Sequence, residues 1–250
     1  MRQIGPLWGL CFAIVGLALG MPSTARADEP PPPPQKVEGV VGHPQERNLS
    51  CESRSSADLA AYWGVEFTED AFFRRLPKSD NPQRGFVGDV DMPPGSMPPV
   101  GYGVYAVPVA ATLRSFGLDA EAHRPLELES LKTELAAQRP VVVWATYDMQ
   151  RPGVETWVSW DGVASTVVRW QHTFVAVGYD ERGLSLIDAF DGQTKRFSYE
   201  AFVPAWDQLG RMAVTAAGPL SRRSPRTWTL TGFENGPQFL VAGRWKVGLR

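Results

Sequence analysis

Cysteine and histidine are scarce in this sequence, with two Cys and three His among 250 residues. A structural zinc site needs about four such ligands held close together, so neither a metal nor any other cofactor is expected. A charge excess of either sign is lacking too. Twenty-five basic residues stand against 27 acidic ones, a formal charge of −2, which supplies no basic face for nucleic acid. Long apolar runs are absent except near the N-terminus. What the chain does have is 43% hydrophobic residues, 24 Gly and 22 Pro. That composition is neither disordered nor fibrous, and a chain of this size buries roughly 70–75% of its unfolded surface without disulfide or metal.

The N-terminal run, Ile4 to Gly20, is uncharged and follows Arg2. It spans 17 residues and contains Pro6 and four glycines, short of the ~20 apolar residues of a membrane-spanning helix. Ala25-Arg26-Ala27 then offers a small-x-small cleavage pattern. The expectation is a secretory signal over residues 1–27, an exported product (periplasmic or secreted), and no stable membrane insertion after cleavage. Cleavage removes Arg2 and Arg26, taking the charge from −2 to −4, and it removes Cys11. Cys51 is then the single cysteine. In an oxidising compartment such a residue must be buried, joined to another chain, or used as a nucleophile.

Pro30 to Pro34 form a polyproline spacer within a leader of residues 28–36. The domain is expected over 37–217, followed by an extension, 218–250, in which Thr227–Thr231 and Phe239–Leu249 could add two strands. Helices are expected at Cys51–Trp63 (capped by Asn48 or Ser50 and ended by Gly64), Thr68–Leu76, Val104–Phe116 and Leu126–Arg139. Strands follow at Val141–Trp144, Thr173–Tyr179, Leu184–Ala189, Thr194–Phe197 and Arg211–Ala216, with Tyr199–Trp206 helical. Helices first and an antiparallel sheet after them make the fold class α+β. Between Pro77 and Gly103 lie six prolines and five glycines. A loop that long is rarely structureless in a compact domain. It is expected to be ordered, to pack on the cleft side of the first helix and to shape a channel near Cys51.

Three positions carry chemistry. Cys51 opens a helix, where partial positive charge favours the thiolate and a backbone N–H can meet developing negative charge. Gln45, just upstream, is the residue type that would supply a second such donor. Glu52 opposes this scheme, because a carboxylate beside the thiol raises its pKa unless it points to solvent. His172 opens an apolar strand and suits the role of proton acceptor and donor; His43 precedes the first helix and His123 lies in an apparent connection. The third group would orient the imidazole. Asp188 ends the next apolar run, but a four-residue hairpin loop would place Asp191 opposite His172, and only a one-residue bulge changes that register. Phe86, between Gly85 and Gly88, and Trp157 and Trp160 are candidates for lining a peptide cleft, with core filling the alternative.

The ordered set Gln45, Cys51, His172, Asp188 resembles the papain-like cysteine peptidases. More closely, it looks like the bacteriocin-leader-processing (double-glycine leader) peptidases, family thirty-nine, and their stand-alone exported relatives. The likeness runs from about Val37 to Thr215 and includes Ser50-Cys51-Glu52, Asp80-Asn81-Pro82, Gly85-Phe86-Val87-Gly88, Tyr102-Gly103-Val104-Tyr105-Ala106 and His172-Thr173-Phe174-Val175-Ala176-Val177-Gly178-Tyr179-Asp180. The resemblance implies a papain-like fold, a peptide or protein substrate, and a Cys–His–Asp triad. Cys51 would be nucleophile, His172 general base, Asp188 the orienting acid and Gln45 the oxyanion donor. Two positions depart from the family pattern: Glu52 replaces the usual Gly, and Ala189 the usual Pro. The same triad could also serve a thiol acyltransferase or transpeptidase, and a papain-like shape could persist as a binder of peptide or cell-wall partners.

Overall fold

Residues 51–62 contain no β-branched side chain and three alanines, a composition that favours helix. In the computed structural model, which describes residues 35–220, they form α1 (Cys51–Tyr62). Before it, Gln35–Lys36 form β1. Nine of its first ten residues are buried, among them Ser53, Ser55, Ser56, Ala57 and Ala60, so small side chains let α1 sit inside the molecule. Gly64, at φ +73°, turns the chain away from its end. Next comes α2 (Glu69–Arg75), whose first turn is capped by Thr68 Oγ1 accepting from the Ala71 N–H at 3.1 Å.

The long Pro/Gly segment carries β2 (Val87–Gly88) and β3 (Gly101–Gly103), and then leads into α3 (Ala106–Ser115), with Pro108 in its first turn. After these come β4 (Leu118–His123), α4 (Leu128–Ala136) and β5 (Val141–Thr146). A separate hairpin, β6 (Glu155–Val158) and β7 (Ala164–Val167), precedes β8 (Gln171–Tyr179) and β9 (Gly183–Asp188). The chain then runs through β10 (Thr194–Ser198), α5 (Tyr199–Gln208) and β11 (Ala213–Pro219).

The main sheet has the order β10-β9-β8-β5-β11-β4, with β1 joining β8, and all its pairings are antiparallel. Its centre, β5, is buried at every residue, as its run Val141-Val142-Val143-Trp144 demands. Helix α1 packs on β8 and β5, and a buried hydrogen bond of 3.0 Å joins Ser55 Oγ to Thr173 Oγ1. That bond sets the start of α1 beside the start of β8.

The α+β order is as the sequence implies. Three elements depart from expectation. Gln35–Lys36, expected in the leader, pair with β8 as β1. His123 lies in strand β4, bonded through Nε2 to Thr215 Oγ1 at 2.8 Å, not in a connection. Its strand, Leu118-Asp119-Ala120-Glu121-Ala122-His123, has weak β-propensity and is held by pairing with β11. The β6–β7 hairpin lies between the expected strands Val141–Trp144 and Thr173–Tyr179, where no element is expected. The expected signal, the prolines of the leader and the two added C-terminal strands lie outside the described residues. Among the described residues no helix is long and apolar enough to cross a membrane.

Candidate active site

Cys51 is the first residue of α1. The N-cap residue Ser50 makes no side-chain cap; its Oγ donates to the Arg47 carbonyl at 2.9 Å and accepts from the Arg47 N–H at 3.1 Å. Asn48 does not cap either, since its Nδ2 donates to the Asp91 carbonyl at 2.8 Å. The first-turn N–H groups of α1 are therefore not claimed by a capping side chain. The segment leading in is strapped down. His43 N–H reaches Asp58 Oδ2 at 3.1 Å, Glu46 N–H reaches Glu69 Oε1 at 3.0 Å, and Gln45 N–H reaches the Ala189 carbonyl at 2.8 Å. The last of these joins the Gln45 loop to the residue after Asp188.

The choice between Asp188 and Asp191 is made by a bulge. Tyr179 pairs with Leu184 and Gly178 with Ser185, but Ala176 pairs with Leu186 and Phe174 with Asp188, so Val177 is the extra residue. Without that insertion Asp188 would fall on the opposite face from His172. With it, Asp188 shares the face of Phe174 and of His172, two residues along. His172 Nε2 and Asp188 Oδ1 lie 2.6 Å apart, both buried. Nε2 donates to the carboxylate, which leaves Nδ1 as the basic nitrogen. Phe174 and Tyr147 meet the imidazole edge to face, with centroids at 4.9 and 5.7 Å.

Burial works against an ionised Asp188, yet the hydrogen bond and charge of His172, followed by the Lys195 ammonium and the Phe190 N–H, hold it down at about 2. Asp191 makes no such contact; it pairs with Lys195 at 2.8 Å and accepts the Gln193 N–H at 3.0 Å.

The thiol is less activated than a helix start alone would make it. Burial first, and the Glu52 charge second, push Cys51 well above the ordinary thiol value, with hydrogen bonding by Thr173 pulling the other way. Glu52 does not point to solvent. Its Oε2 lies 3.4 Å from Cys51 Sγ, and its Oε1 accepts from the Val104 N–H at 2.9 Å and from Gln171 Nε2 at 2.7 Å. Burial raises the Glu52 carboxyl despite these donors. Gly103 must be glycine here: at φ +136°, an added Cβ would lie 2.3 Å from both Glu52 Oε1 and Gln171 Nε2. Glu52 thus ties the corner between β3 and α3 to the cysteine.

Cys51, His172, Gln45 and Gln171 line one cleft of about 190 Å³. Its apolar wall comes from Leu49, Tyr102, Tyr147, Trp170 and Phe190. Gln45 is in place, but its Nε2 already donates to the Arg47 and Asn48 carbonyls, at 2.7 and 2.9 Å, while its buried Oε1 has no partner. Turning the amide over would set an oxygen against two carbonyl oxygens, so Nε2 is the atom that faces them.

The aromatic residues expected at the cleft are elsewhere. Phe86 is a core residue packed edge to face on Phe73, Trp157 donates its Nε1–H to the Asp80 carbonyl at 2.6 Å, and Trp160 is 86% exposed at the β6–β7 turn. None of the three lines the cleft. The residues that do were open to a simpler signal. Trp170 sits two residues before His172 and Phe190 two after Asp188, so nearness to the site residues was the better guide. Trp170 adopts φ +64°, a costly conformation for a bulky side chain, and its ring lies where a Cβ on Gly95 would approach to 2.7 Å.

The long loop supplies the other wall through Pro94, Gly95 and Tyr102. It is anchored by Arg47 on Asp91, by the Leu49 N–H on the Val90 carbonyl at 2.9 Å, and by the Tyr105 N–H on the Pro82 carbonyl at 2.9 Å. Phe86, Val87 and Val90 are all core residues, so excising the loop would unfold the domain. The informative measurement is limited proteolysis of the intact protein. Cuts between 77 and 103 should be no faster than global unfolding allows; rapid cutting there would show a mobile loop.

A family model described as the Peptidase_C39 like family matches residues 37–214. The uncharacterized protein YvpB of Bacillus subtilis is 23% identical over 175 residues, covering 66% of this chain and 67% of the relative. Among solved structures, a C39-like peptidase from Bacillus anthracis matches 74% of this chain and 97% of its own, with a TM-score of 0.66 at 23% identity. The peptidase domain of Streptococcus ComA, a bifunctional ABC transporter, matches 72% of this chain and 99% of its own, with a TM-score of 0.46 at 18% identity. The papain-like α+β fold follows from the arrangement of elements and the first of these structures.

Proposed function

Because the chain belongs to the Peptidase_C39 like family, we propose that it is an exported cysteine peptidase that hydrolyses peptide bonds through Cys51, His172 and Asp188. The observation that carries this reading is the His172–Asp188 pair, 2.6 Å apart, in the same cleft as a cysteine at a helix start. His172 Nδ1 takes the thiol proton and the thiolate adds to the scissile carbonyl. The Cys51 N–H meets the oxyanion, joined by the Gln45 amide once it turns from one of its two backbone carbonyls. Collapse passes the proton from the imidazolium to the leaving amine and leaves a thioester. Water, deprotonated by His172, then attacks the thioester and releases the acid. Asp188 keeps Nε2 protonated throughout, so that Nδ1 is always the nitrogen that exchanges the proton.

One observation favours a second reading. With Glu52 Oε2 at 3.4 Å from a buried Sγ, the thiol rests protonated, as it would in a peptide-binding module that has lost catalysis. Incubation with a mixture of synthetic peptides in ¹⁸O-labelled water separates the possibilities by mass spectrometry. New C-termini carrying ¹⁸O support hydrolysis. Peptides joined to added amines without ¹⁸O mean acyl transfer, and retained, uncut peptides mean a binder.

A further inference from the structure

A cation stands behind the imidazole–carboxylate pair. β10 runs antiparallel to β9, with Lys195 opposite Leu186, and Lys195 Nζ reaches Asp188 Oδ2 at 2.7 Å and Asp191 Oδ2 at 2.8 Å. The two oxygens of Asp188 are therefore divided. Oδ1 accepts from His172 Nε2 at 2.6 Å and from the Phe190 N–H at 2.9 Å, and Oδ2 is held by Lys195. The Asp188 side chain is 2% exposed, so without Lys195 its second oxygen would be a buried charge with no donor among the described residues. Such an oxygen either takes a proton or swings toward water, and both would free the imidazole. The Lys195 side chain is 32% exposed, so the ammonium keeps part of its hydration while it does this.

We propose that Lys195 is a positioning residue for the His172–Asp188 pair, and that Asp191 secures Lys195 without touching the imidazole. This rests on the triad proposed above. Lys195 fixes the plane of the carboxylate so that Oδ1 faces Nε2. The charged and titratable groups around His172 are Cys51 and Glu52 from α1, Tyr147 after β5, Asp188 from β9, and Lys195 and Asp191 behind it. Lys195 is the one cation in that set. Removing it leaves Asp188 Oδ2 without its donor, so the carboxylate no longer holds Oδ1 against Nε2.

The test is the His172 Nε2–H proton resonance by NMR in the full chain, with His43 and His123 as internal controls. In Lys195→Met that proton should lose most of its downfield shift or exchange with water too fast to be seen, and in Lys195→Arg it should stay as in wild type. Lys195→Gln keeps a donor but no charge; the resonance should persist with a smaller downfield shift, and this variant replaces the Met one should that fail to fold. An unchanged His172 resonance in folded Met or Gln variants would make Lys195 an ordinary surface ion pair and overturn the proposal. A wild-type Cys51 with ordinary-thiol reactivity, alongside a His172 that does respond to Lys195, would overturn the peptidase reading and leave this coupling standing.

Discussion

Alanine in place of Cys51 should remove peptide-bond hydrolysis, roughly 10⁴-fold or more in kcat/KM, and leave a folded protein. The side chain is 4% exposed and small, it begins a helix, and Ala is a good helix former. What is lost structurally is one weak Sγ contact with Glu52 at 3.4 Å, the hydrogen bonding with Thr173 and some packing at the start of β8. Stability should change by no more than about 1–2 kcal/mol. Circular dichroism and urea unfolding check the fold, and product formation from a cleaved peptide checks the chemistry. Retention of more than about 1% of the activity would remove Cys51 from the reaction.

The second large effect belongs to the carboxylates. Asp188→Asn should lower kcat/KM by roughly 10²–10⁴-fold, because an amide no longer enforces the tautomer with Nε2 protonated. Asp191→Asn should cost less than about fivefold, since Lys195 retains Asp188 as a partner. Kinetics on the two variants side by side check this ordering. The same pair shapes acid stability. Asp188 is held down at about 2 in the folded protein, against about 3.9 in an unfolded chain. Its contribution is present above the unfolded value and is lost as pH falls through the folded one. Wild type and Asp188→Asn should therefore converge in urea stability between about pH 4 and pH 2.

Much of this was legible in the sequence because it is local. The Ala/Ser composition of 51–62, Pro108 in a first turn and the buried run at 141–144 each dictate their element without reference to the rest of the chain. The Pro/Gly segment announces an ordered loop by its length. What was not legible depends on pairs of elements. His172 and Asp188 share a face only through the extra residue Val177, and Gly178 beside it, though a glycine in a strand can accompany a bulge, does not by itself fix the register. β4 has little strand propensity and takes its conformation from β11. The direction of Glu52, toward solvent or toward the cysteine, is open in the sequence, and Val104 and Gln171 draw it inward across more than 50 residues of chain. Gln45 was identifiable by type and position, whereas the two carbonyls that occupy its amide emerge only from the folded turn. The tryptophans misled because their number describes a segment and not the direction each one faces.

The central claim is that His172 turns a buried, reluctant thiol into a nucleophile, and the rate of Cys51 alkylation by iodoacetamide from pH 4 to pH 10 tests it most directly. In the wild type, the account predicts alkylation already appreciable below the ordinary thiol value, because His172 takes the thiol proton as the sulfur attacks. In His172→Ala, reaction should appear only above that value, as burial and Glu52 dictate. Coincident profiles for the two proteins, with a midpoint at or above the ordinary thiol value of about 8.5, would contradict the account.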